Sequence, residues 1–229
     1  MYDIVFISYH EPHADNNWEI LKAQFPMAKR VKDVEGIHQA HIAAAKKCFT
    51  KMFWVVDGDA ELSRGFQFDY KVSEWDLDTV HVWRSINPVN RLEYGYGGVK
   101  LLPRTLTLKM DVTVPDMTTS ISDKFKAVDE ISNITLFNTD PWSAWKSGFR
   151  ECAKLSSKII KGQVDEETEK RLDTWCTVGA DQEHGKYAIH GAQCGRHFGQ
   201  AHKDDKEMLY KINDFKWLKE QFDDYQDSI

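Results

Sequence analysis

The sequence predicts an α/β protein, a single domain in which helices flank a mostly parallel central sheet. Short apolar runs typical of buried strands alternate with helical patterns over residues 3–57. The connections between these runs are about 15–20 residues long, which is the length that a helical crossover between parallel strands requires. The chain has 229 residues, 41% of them hydrophobic, and is therefore large enough to bury a full-sized core.

The first half of the chain contains the repeating strands and helices. The predicted elements are a strand at 3–9, a helix at 18–24, a strand at 28–34, a helix from 37 to about 50 and a strand at 53–57. The helix at 37–50 is indicated by Ile37, Ala40, Ala44 and Cys48, which recur at helical spacing. We expect residues 1–104 to form a ligand-binding half of the domain.

The second half, residues 105–229, continues with fewer strands and longer helices. A strand at 79–83 and a short apolar strand at 99–103 precede it, and residues 128–137 alternate like a strand. Pro141 begins a helix that extends to about residue 160, since proline is favoured in the first turn. A charged helix at 164–173 and an amphipathic helix at 206–224 follow.

Composition and charge limit the classes of function. No apolar stretch approaches the roughly 18–20 residues of a membrane span, and the N-terminus reads as a strand and not as a signal peptide. Four scattered cysteines without a Cys-x-x-Cys pair are typical of reduced thiols and a cytoplasmic location. The net charge of −6 argues against a protein whose whole surface binds nucleic acid, but it is compatible with a local basic groove. No obligate protein partner is indicated.

The most informative motif is Asp57-Gly58-Asp59, which follows the buried run Phe53-Trp54-Val55-Val56. Ligands of open α/β sheets bind beyond the carboxyl ends of the strands. Two carboxylates at such a place are suited to a hard divalent cation, and a cation is suited to a diphosphate. The structural alternative is a plain Asp-Gly turn with Asp59 as a helix cap.

The order of elements resembles the GT-A glycosyltransferases, which bind nucleotide-sugars on a Rossmann-type sheet. The likeness rests on the β-α-β-α start, the Asp-x-Asp element after the third strand, and Gly97-Gly98 some way after it. It covers roughly residues 3–150. The resemblance implies Mn²⁺ or Mg²⁺ as cofactor, with Asp59 as a direct metal ligand and Asp57 near the metal or the ribose.

A narrower resemblance is to small glycosyltransferases of T-even-like phages, some of which are similar to enzymes that modify hydroxymethylated cytosine. The segments that carry it are Trp54-Val55-Val56-Asp57-Gly58-Asp59, Trp83-Arg84-Ser85-Ile86-Asn87-Pro88, Tyr94-Gly95-Tyr96-Gly97-Gly98-Val99-Lys100-Leu101-Leu102-Pro103 and Phe137-Asn138-Thr139-Asp140-Pro141. This likeness implies a UDP-sugar donor carrying arabinose or glucose and 5-hydroxymethylcytosine in phage DNA as acceptor. If the chain is phage-encoded, its location is the host cytoplasm.

Further donor-site residues follow from the same resemblance. The loop Ser8-Tyr9-His10-Glu11 lies where a nucleotide base would bind, so Ser8, Tyr9 and Glu11 are candidates to contact it, with Tyr9 stacking on uracil. Asp33 is a candidate acceptor for the imide N–H of that base. The structural alternatives are an aromatic at the rim and a solvated turn acid.

Two later positions are candidates for the sugar and acceptor side. Gly97-Gly98 permits close backbone approach to the sugar, or is an ordinary tight turn. Asp140 lies before Pro141 and is either a helix N-cap or the general base that deprotonates the acceptor hydroxyl. The two roles compete, because capping lowers the basicity of a carboxylate.

The region 179–199 contains five glycines and three histidines. GT-A enzymes often use a late histidine as a third metal ligand, which makes His190, ahead of His197, the candidate. Arg196 is a candidate to neutralise the leaving diphosphate. The spacing of cysteine and histidine matches no standard zinc site.

Two other classes of function stay open at this point. One is a glycosyltransferase with a glycan or protein acceptor, and the other is a noncatalytic module that binds a nucleotide or DNA. The metal-type carboxylate pair favours an enzyme over the binding module.

Overall fold

The computed structural model describes residues 1–95, 97–160 and 162–226, so Tyr96 of the glycine segment lies outside it. The chain divides into two compact units. The first consists of residues 1–87, 93–112 and 120–136, and the second of residues 88–92, 113–119 and the chain from Phe137 onward. The division into a donor half and an acceptor half at residue 104 stays a prediction.

Eight strands form one sheet in the first unit, in the order β2-β1-β3-β7-β5-β8-β4, with β6 paired to β5. The sheet therefore ends in β2 on one side and β4 on the other. The strands are β1 (Asp3–Ser8), β2 (Lys29–Lys32), β3 (Met52–Asp57), β4 (Ala60–Leu62), β5 (Val80–Ile86), β6 (Glu93–Tyr94), β7 (Val99–Pro103) and β8 (Phe125–Thr135).

The sheet is mixed, so the prediction of a mostly parallel sheet is wrong. β1 pairs in parallel with β2 and β3, and β5 with β8, whereas β7 runs antiparallel to both β3 and β5. Only the first three strands are joined through long helices, and helical crossovers are what impose parallel pairing. The later strands follow tight turns and irregular loops that leave their direction open.

Nine α-helices occur in the described residues. They are α1 (Ala14–Gln24), α2 (Ile37–Lys46), α3 (Arg104–Leu108), α4 (Met117–Ile121), α5 (Pro141–Ser157), α6 (Asp165–Thr177), α7 (Gly185–Ala201), α8 (Lys206–Tyr210) and α9 (Phe215–Gln226). In the described part of the chain, no helix is both long enough and apolar enough to cross a bilayer.

The core of the first unit is built around aromatic side chains. Trp54 of β3 contacts Trp83 of β5 with ring centroids 4.4 Å apart, and Phe66 and Phe68 pack edge-on against Trp54. These side chains are buried together with aliphatic residues of β1 and β7. The segment at 66–68, which has no regular secondary structure, is thereby fixed over the sheet, because large aromatic rings supply much of a core's buried area.

Helix α2 is shorter than the sequence predicts. It ends at Lys46, although the apolar pattern continues to Cys48. The backbone N–H groups of Phe49 and Thr50 donate to the Asp3 carboxylate at 2.7 and 2.9 Å. That carboxylate replaces the carbonyl acceptors of a further helical turn, so the chain leaves the helix and enters β3.

The second unit is organised by the contact between α5 and α7. Helix α7 was not among the predicted elements, because its glycines discourage a helix assignment. Gly191, Gly195 and Gly199 recur every fourth residue along α7, where a Cβ would overlap the backbone carbonyl oxygens of Trp145, Phe149 and Ala153 in turn. The glycines therefore allow two helix backbones to touch, and this contact stabilises a helix of low intrinsic propensity.

The C-terminal helix is interrupted, which corrects the prediction of one helix at 206–224. Asp205 caps α8 through Met208 N–H at 3.0 Å. Asp214 accepts from the N–H groups of Lys216 and Trp217 at 3.1 and 3.0 Å, and α9 begins at this second cap. An aspartate that binds the amides of the following turn begins a new helix and ends the one before it.

Candidate functional site

Three parallel strands of the first unit end at the same edge of the sheet. Ser8 pairs with Lys32, and Ile7 with Asp57, so β1, β2 and β3 finish within one residue of each other. The Asp33 N–H donates to the Ser8 carbonyl at 3.0 Å. The structure thus brings together the residues that the sequence places after these strands.

The Asp57-Gly58-Asp59 motif is a tight turn that joins β3 to β4. A Cβ at Gly58 would lie 2.5 Å from Oε2 of Glu11 and 3.1 Å from the Ser8 side chain, so the first loop rests directly on the turn. The Asn17 side-chain amide donates to the Gly58 carbonyl at 3.1 Å and holds the turn from α1. Asp59 is half-buried, and its carbonyl accepts from Leu136 N–H at 2.7 Å.

Asp57 is paired with a lysine that the sequence analysis did not single out. Its Oδ2 accepts from Lys100 Nζ at 2.6 Å and from the Gly98 N–H at 3.1 Å. Burial by itself raises the pKa of the Asp57 carboxyl, but the Lys100 ammonium and these hydrogen bonds outweigh it, and the pKa lies below its ordinary value. Asp57 is therefore ionised at neutral pH.

The glycine segment approaches Asp57 through its backbone. Gly97 and Gly98 have φ of 130° and 85°, values that side-chain-bearing residues rarely adopt. A Cβ at Gly98 would overlap the buried Asn133 side chain, and one at Gly97 would lie 3.6 Å from Oδ2 of Asp57. Both glycines therefore lie beside Asp57, and their role in binding a sugar stays a prediction.

The first loop is held in place by its own hydrogen bonds. Arg30 donates to the Ser8 hydroxyl at 3.0 and 3.1 Å, and Tyr9 N–H donates to the Glu11 carboxylate at 2.6 Å. Asp33 has a left-handed φ of 58°, and its side chain lies 4.0 Å from His10 at an exposed position. The backbone of this loop is thus ordered, while Tyr9 and Asp33 face the surface in part.

A buried histidine lies behind the ion pair. His41 of α2 is 3% exposed, and its Nδ1 lies 2.7 Å from the Ile37 carbonyl. Burial and the nearby Lys100 ammonium lower the pKa of His41 to about 4, so the ring is neutral at pH 7. Nδ1 then carries the proton and donates to Ile37, and Nε2 has no hydrogen-bond partner among the described residues.

Asp140 belongs to the second unit and caps α5, as one of its two predicted roles requires. Oδ1 accepts from Ser143 N–H at 2.9 Å, and Oδ2 accepts from the hydroxyls of Ser143 and Thr139 at 2.7 and 3.3 Å. Partial burial raises the pKa of Asp140, but the hydrogen bonds from Ser143 and Thr139 lower it by more. The base role stays a prediction, and it applies to a carboxylate of reduced basicity.

His190, the candidate metal ligand, and Arg196, the candidate diphosphate partner, lie on α7. Both contact other residues of the second unit. His190 Nδ1 accepts from the Trp145 indole N–H at 3.0 Å, and its ring stacks on Tyr225. Arg196 donates to Asp173 at 2.7 Å and Glu169 at 2.8 Å on α6. The roles of these two residues in metal or diphosphate binding stay predictions. Each residue would have to give up the contacts described here in order to bind a ligand. His197 is exposed on the same helix.

The predicted Mn²⁺ or Mg²⁺ site fits these residues only in part. No group of three or more His, Cys, Asp or Glu side chains in the described ranges is arranged to hold a metal ion. Asp57 is already neutralised by an ammonium at 2.6 Å, which would repel a dication on the same carboxylate. Asp59 fits better, since magnesium-type sites use one or two carboxylates together with substrate phosphates and water.

Two residues of this site were missed although the sequence contained a signal for each. Lys100 is the one charged residue in the apolar run 99–102, and a buried charge requires a partner. His41 lies one turn after Ile37 on the apolar side of α2. Each pattern shows that a polar group is buried, but neither identifies Asp57 as the neighbour.

Comparison of the chain with models of known protein families gives no match, and a search of curated proteins finds no significant similarity.

Proposed function

We propose that the protein is a metal-dependent GT-A-type glycosyltransferase that moves arabinose or glucose from a UDP-sugar to a hydroxyl acceptor. The observation that carries the proposal is the cluster of Ser8, Glu11, Asp57 and Gly98 at the carboxyl edge of β1 and β3. Carboxylates, glycine turns and an ordered loop at such an edge are the features with which α/β sheets bind nucleotides.

Each donor-side residue has a role in this proposal. Tyr9 stacks on the uracil, Asp33 accepts from its imide N–H, and Asp57 accepts from a ribose hydroxyl. Asp59 would hold the cation, which would supply positive charge for the leaving diphosphate. The backbone of Gly97 lines the sugar, because the nearest atom that a Cβ would meet there is Asp57 Oδ2 at 3.6 Å. Gly98 holds Asp57 through its N–H.

Asp140 is the proposed general base. It takes the proton of the acceptor hydroxyl as that hydroxyl attacks the anomeric carbon of the sugar. Its oxygens accept from Ser143 and Thr139, so the acceptor hydroxyl has to replace the weaker contact, which is the one to Thr139 at 3.3 Å.

The acceptor in this proposal is 5-hydroxymethylcytosine in DNA, and this part rests on the likeness to phage glycosyltransferases. A base in a duplex has to leave the stack to reach an enclosed site. A glycan or protein acceptor would use the same donor-side residues.

A noncatalytic nucleotide-binding module is the second candidate. It is favoured by Asp140, whose carboxylate serves as a helix cap and has a lowered pKa. Such a module would bind UDP through the first unit without turning over UDP-sugars.

The deciding experiment measures UDP release from UDP-arabinose and UDP-glucose with Mn²⁺, with and without hydroxymethylated DNA. We expect release that depends on the DNA. We expect Asp59→Ala to remove the metal-dependent rate and Asp140→Asn to lower kcat by about 100-fold or more. UDP binding without release under any condition would establish the binding module. A normal rate in Asp140→Asn would show that another group is the base.

A further inference from the structure

Lys100 is a buried cation beside the cluster of Ser8, Glu11, Asp57 and Gly98. The residue is 4% exposed and is the second residue of β7, between Val99 and Leu101, which are fully buried. Its position opposite Val55 in the antiparallel pair with β3 brings its side chain to the end of that strand. An ammonium in such surroundings requires a partner with the opposite charge.

Asp57 is that partner, and the contact fixes the orientation of its carboxylate. Oδ2 accepts from Lys100 at 2.6 Å and from Gly98 N–H at 3.1 Å, while the Asp57 N–H donates to the Gly98 carbonyl at 2.8 Å. Among the described residues, Oδ1 accepts no hydrogen bond. Lys100 and Gly98 thus hold one oxygen of the Asp57 carboxylate in a fixed position.

The ion pair also sets what kind of ligand Asp57 can take. Asp57 and Lys100 together carry no net charge, so they attract a dication weakly. A hydroxyl needs only a fixed acceptor, and a carboxylate oxygen is a strong one.

We propose that Lys100 is a positioning residue that holds Asp57 as a metal-independent acceptor for the ribose hydroxyls of the donor nucleotide. The inference rests on the proposed function and deepens it, since it separates hydroxyl recognition at Asp57 from cation binding at Asp59. Uridine, which has no phosphate, should therefore bind without metal.

The test compares uridine with 2′,3′-dideoxyuridine by calorimetric titration in the absence of divalent cations. We expect wild type to prefer uridine by about tenfold, the value of one hydrogen bond to a charged group. Lys100→Met and Asp57→Asn should each remove most of this preference. The double variant Lys100→Met/Asp57→Asn should lose no more than either single variant, because Lys100 acts through Asp57.

Controls separate positioning from folding and from metal binding. The double variant contains no unpaired buried charge, so it remains informative if Lys100→Met alone does not fold. Asp59→Asn should keep the preference for uridine and lose only the Mn²⁺ dependence of UDP binding. A loss caused by misfolding would affect both nucleosides equally, whereas loss of positioning affects their ratio.

Two outcomes would overturn the inference, and they differ in what they imply for function. If wild type binds UDP and folded Lys100→Met discriminates the nucleosides as wild type does, Lys100 has no positioning role and the proposed function stands. If folded wild type binds neither uridine nor UDP, with or without Mn²⁺, both the inference and the proposed function fall.

Discussion

At the scale of single residues, the polar groups near the end of β3 interact in sequence. His41 lies behind Lys100, Lys100 holds Asp57, and Asp57 binds the backbone of Gly98. Asp57 and His41 are both buried, and the nearby Lys100 ammonium lowers the pKa of each. The arrangement makes stability sensitive to pH through a specific histidine.

We expect His41 to destabilise the protein as the pH falls. Its pKa is lowered from 6.5 to about 4 in the folded state, so between these values the unfolded chain binds a proton that the folded chain does not. The stabilisation is complete above pH 6.5 and is lost on acidification, by about 3 kcal/mol at pH 4. Denaturant unfolding of wild type and His41→Gln at several pH values measures this.

The comparison isolates His41 because the other titrating groups occur in both proteins. The free-energy difference between wild type and His41→Gln should shrink or reverse from pH 7 to pH 4. Parallel pH profiles for the two proteins would show that His41 keeps an ordinary pKa.

The residues of the donor-side cluster were partly predictable. Asp57 was recognisable from its place at the end of an apolar strand, and Gly97 and Gly98 from the glycine turn that precedes the apolar run at 99–103. Lys100 as the partner of Asp57 was not predictable, since the pairing of β3 with β7 joins segments 43 residues apart in the chain. A contact of this kind depends on sheet order, which no local pattern contains.

At the scale of helices and strands, the seam between α5 and α7 requires glycine. The overlapping atom for a Cβ at Gly191 is the Trp145 carbonyl oxygen, and a backbone oxygen cannot move aside as a flexible side chain can. The glycines reduce the intrinsic helix propensity of α7 by up to about 1 kcal/mol each relative to alanine. Close backbone packing must outweigh that loss.

We expect Gly191→Ala to destabilise the protein by about 2–4 kcal/mol although alanine is the better helix former. His197→Ala at an exposed site of the same helix is the matched control and should change stability by less than about 0.5 kcal/mol. Chemical denaturation of both variants provides the measurement. A Gly191→Ala protein as stable as wild type would mean that α5 and α7 are not in backbone contact.

The strands and helices differ in how well the sequence predicts them. The order β1-α1-β2-α2-β3 was recognisable from periodicity, and the parallel pairing of these strands follows from their helical crossovers. The direction of β7 was not recognisable, because the loops before it impose none. Helix α7 was missed because its buried face consists of Gly and Ala. A glycine-rich segment is typical of a turn when the helix that packs against it is unknown.

At the scale of the whole molecule, nucleotide binding should appear as a gain in stability. A ligand that binds only the folded state stabilises by mass action, about 2.7 kcal/mol at 100 times its Kd. For a chain of this size we expect UDP with Mn²⁺ at that concentration to raise Tm by about 5–10 °C in a thermal unfolding assay. ADP with Mn²⁺ is the control and should have a smaller effect, because the predicted base contacts are specific for uracil.

The two ends of the sheet have a consequence for behaviour at high concentration. An outermost strand offers backbone N–H and C=O groups to which a strand of another chain can add. β2 has three long cationic side chains among its four residues, Lys29, Arg30 and Lys32, and β4 at the opposite end is only three residues long. A second copy would have to pair with a strand rich in charged side chains at β2 and with a strand of too little length at β4, and both features disfavour edge-to-edge aggregation.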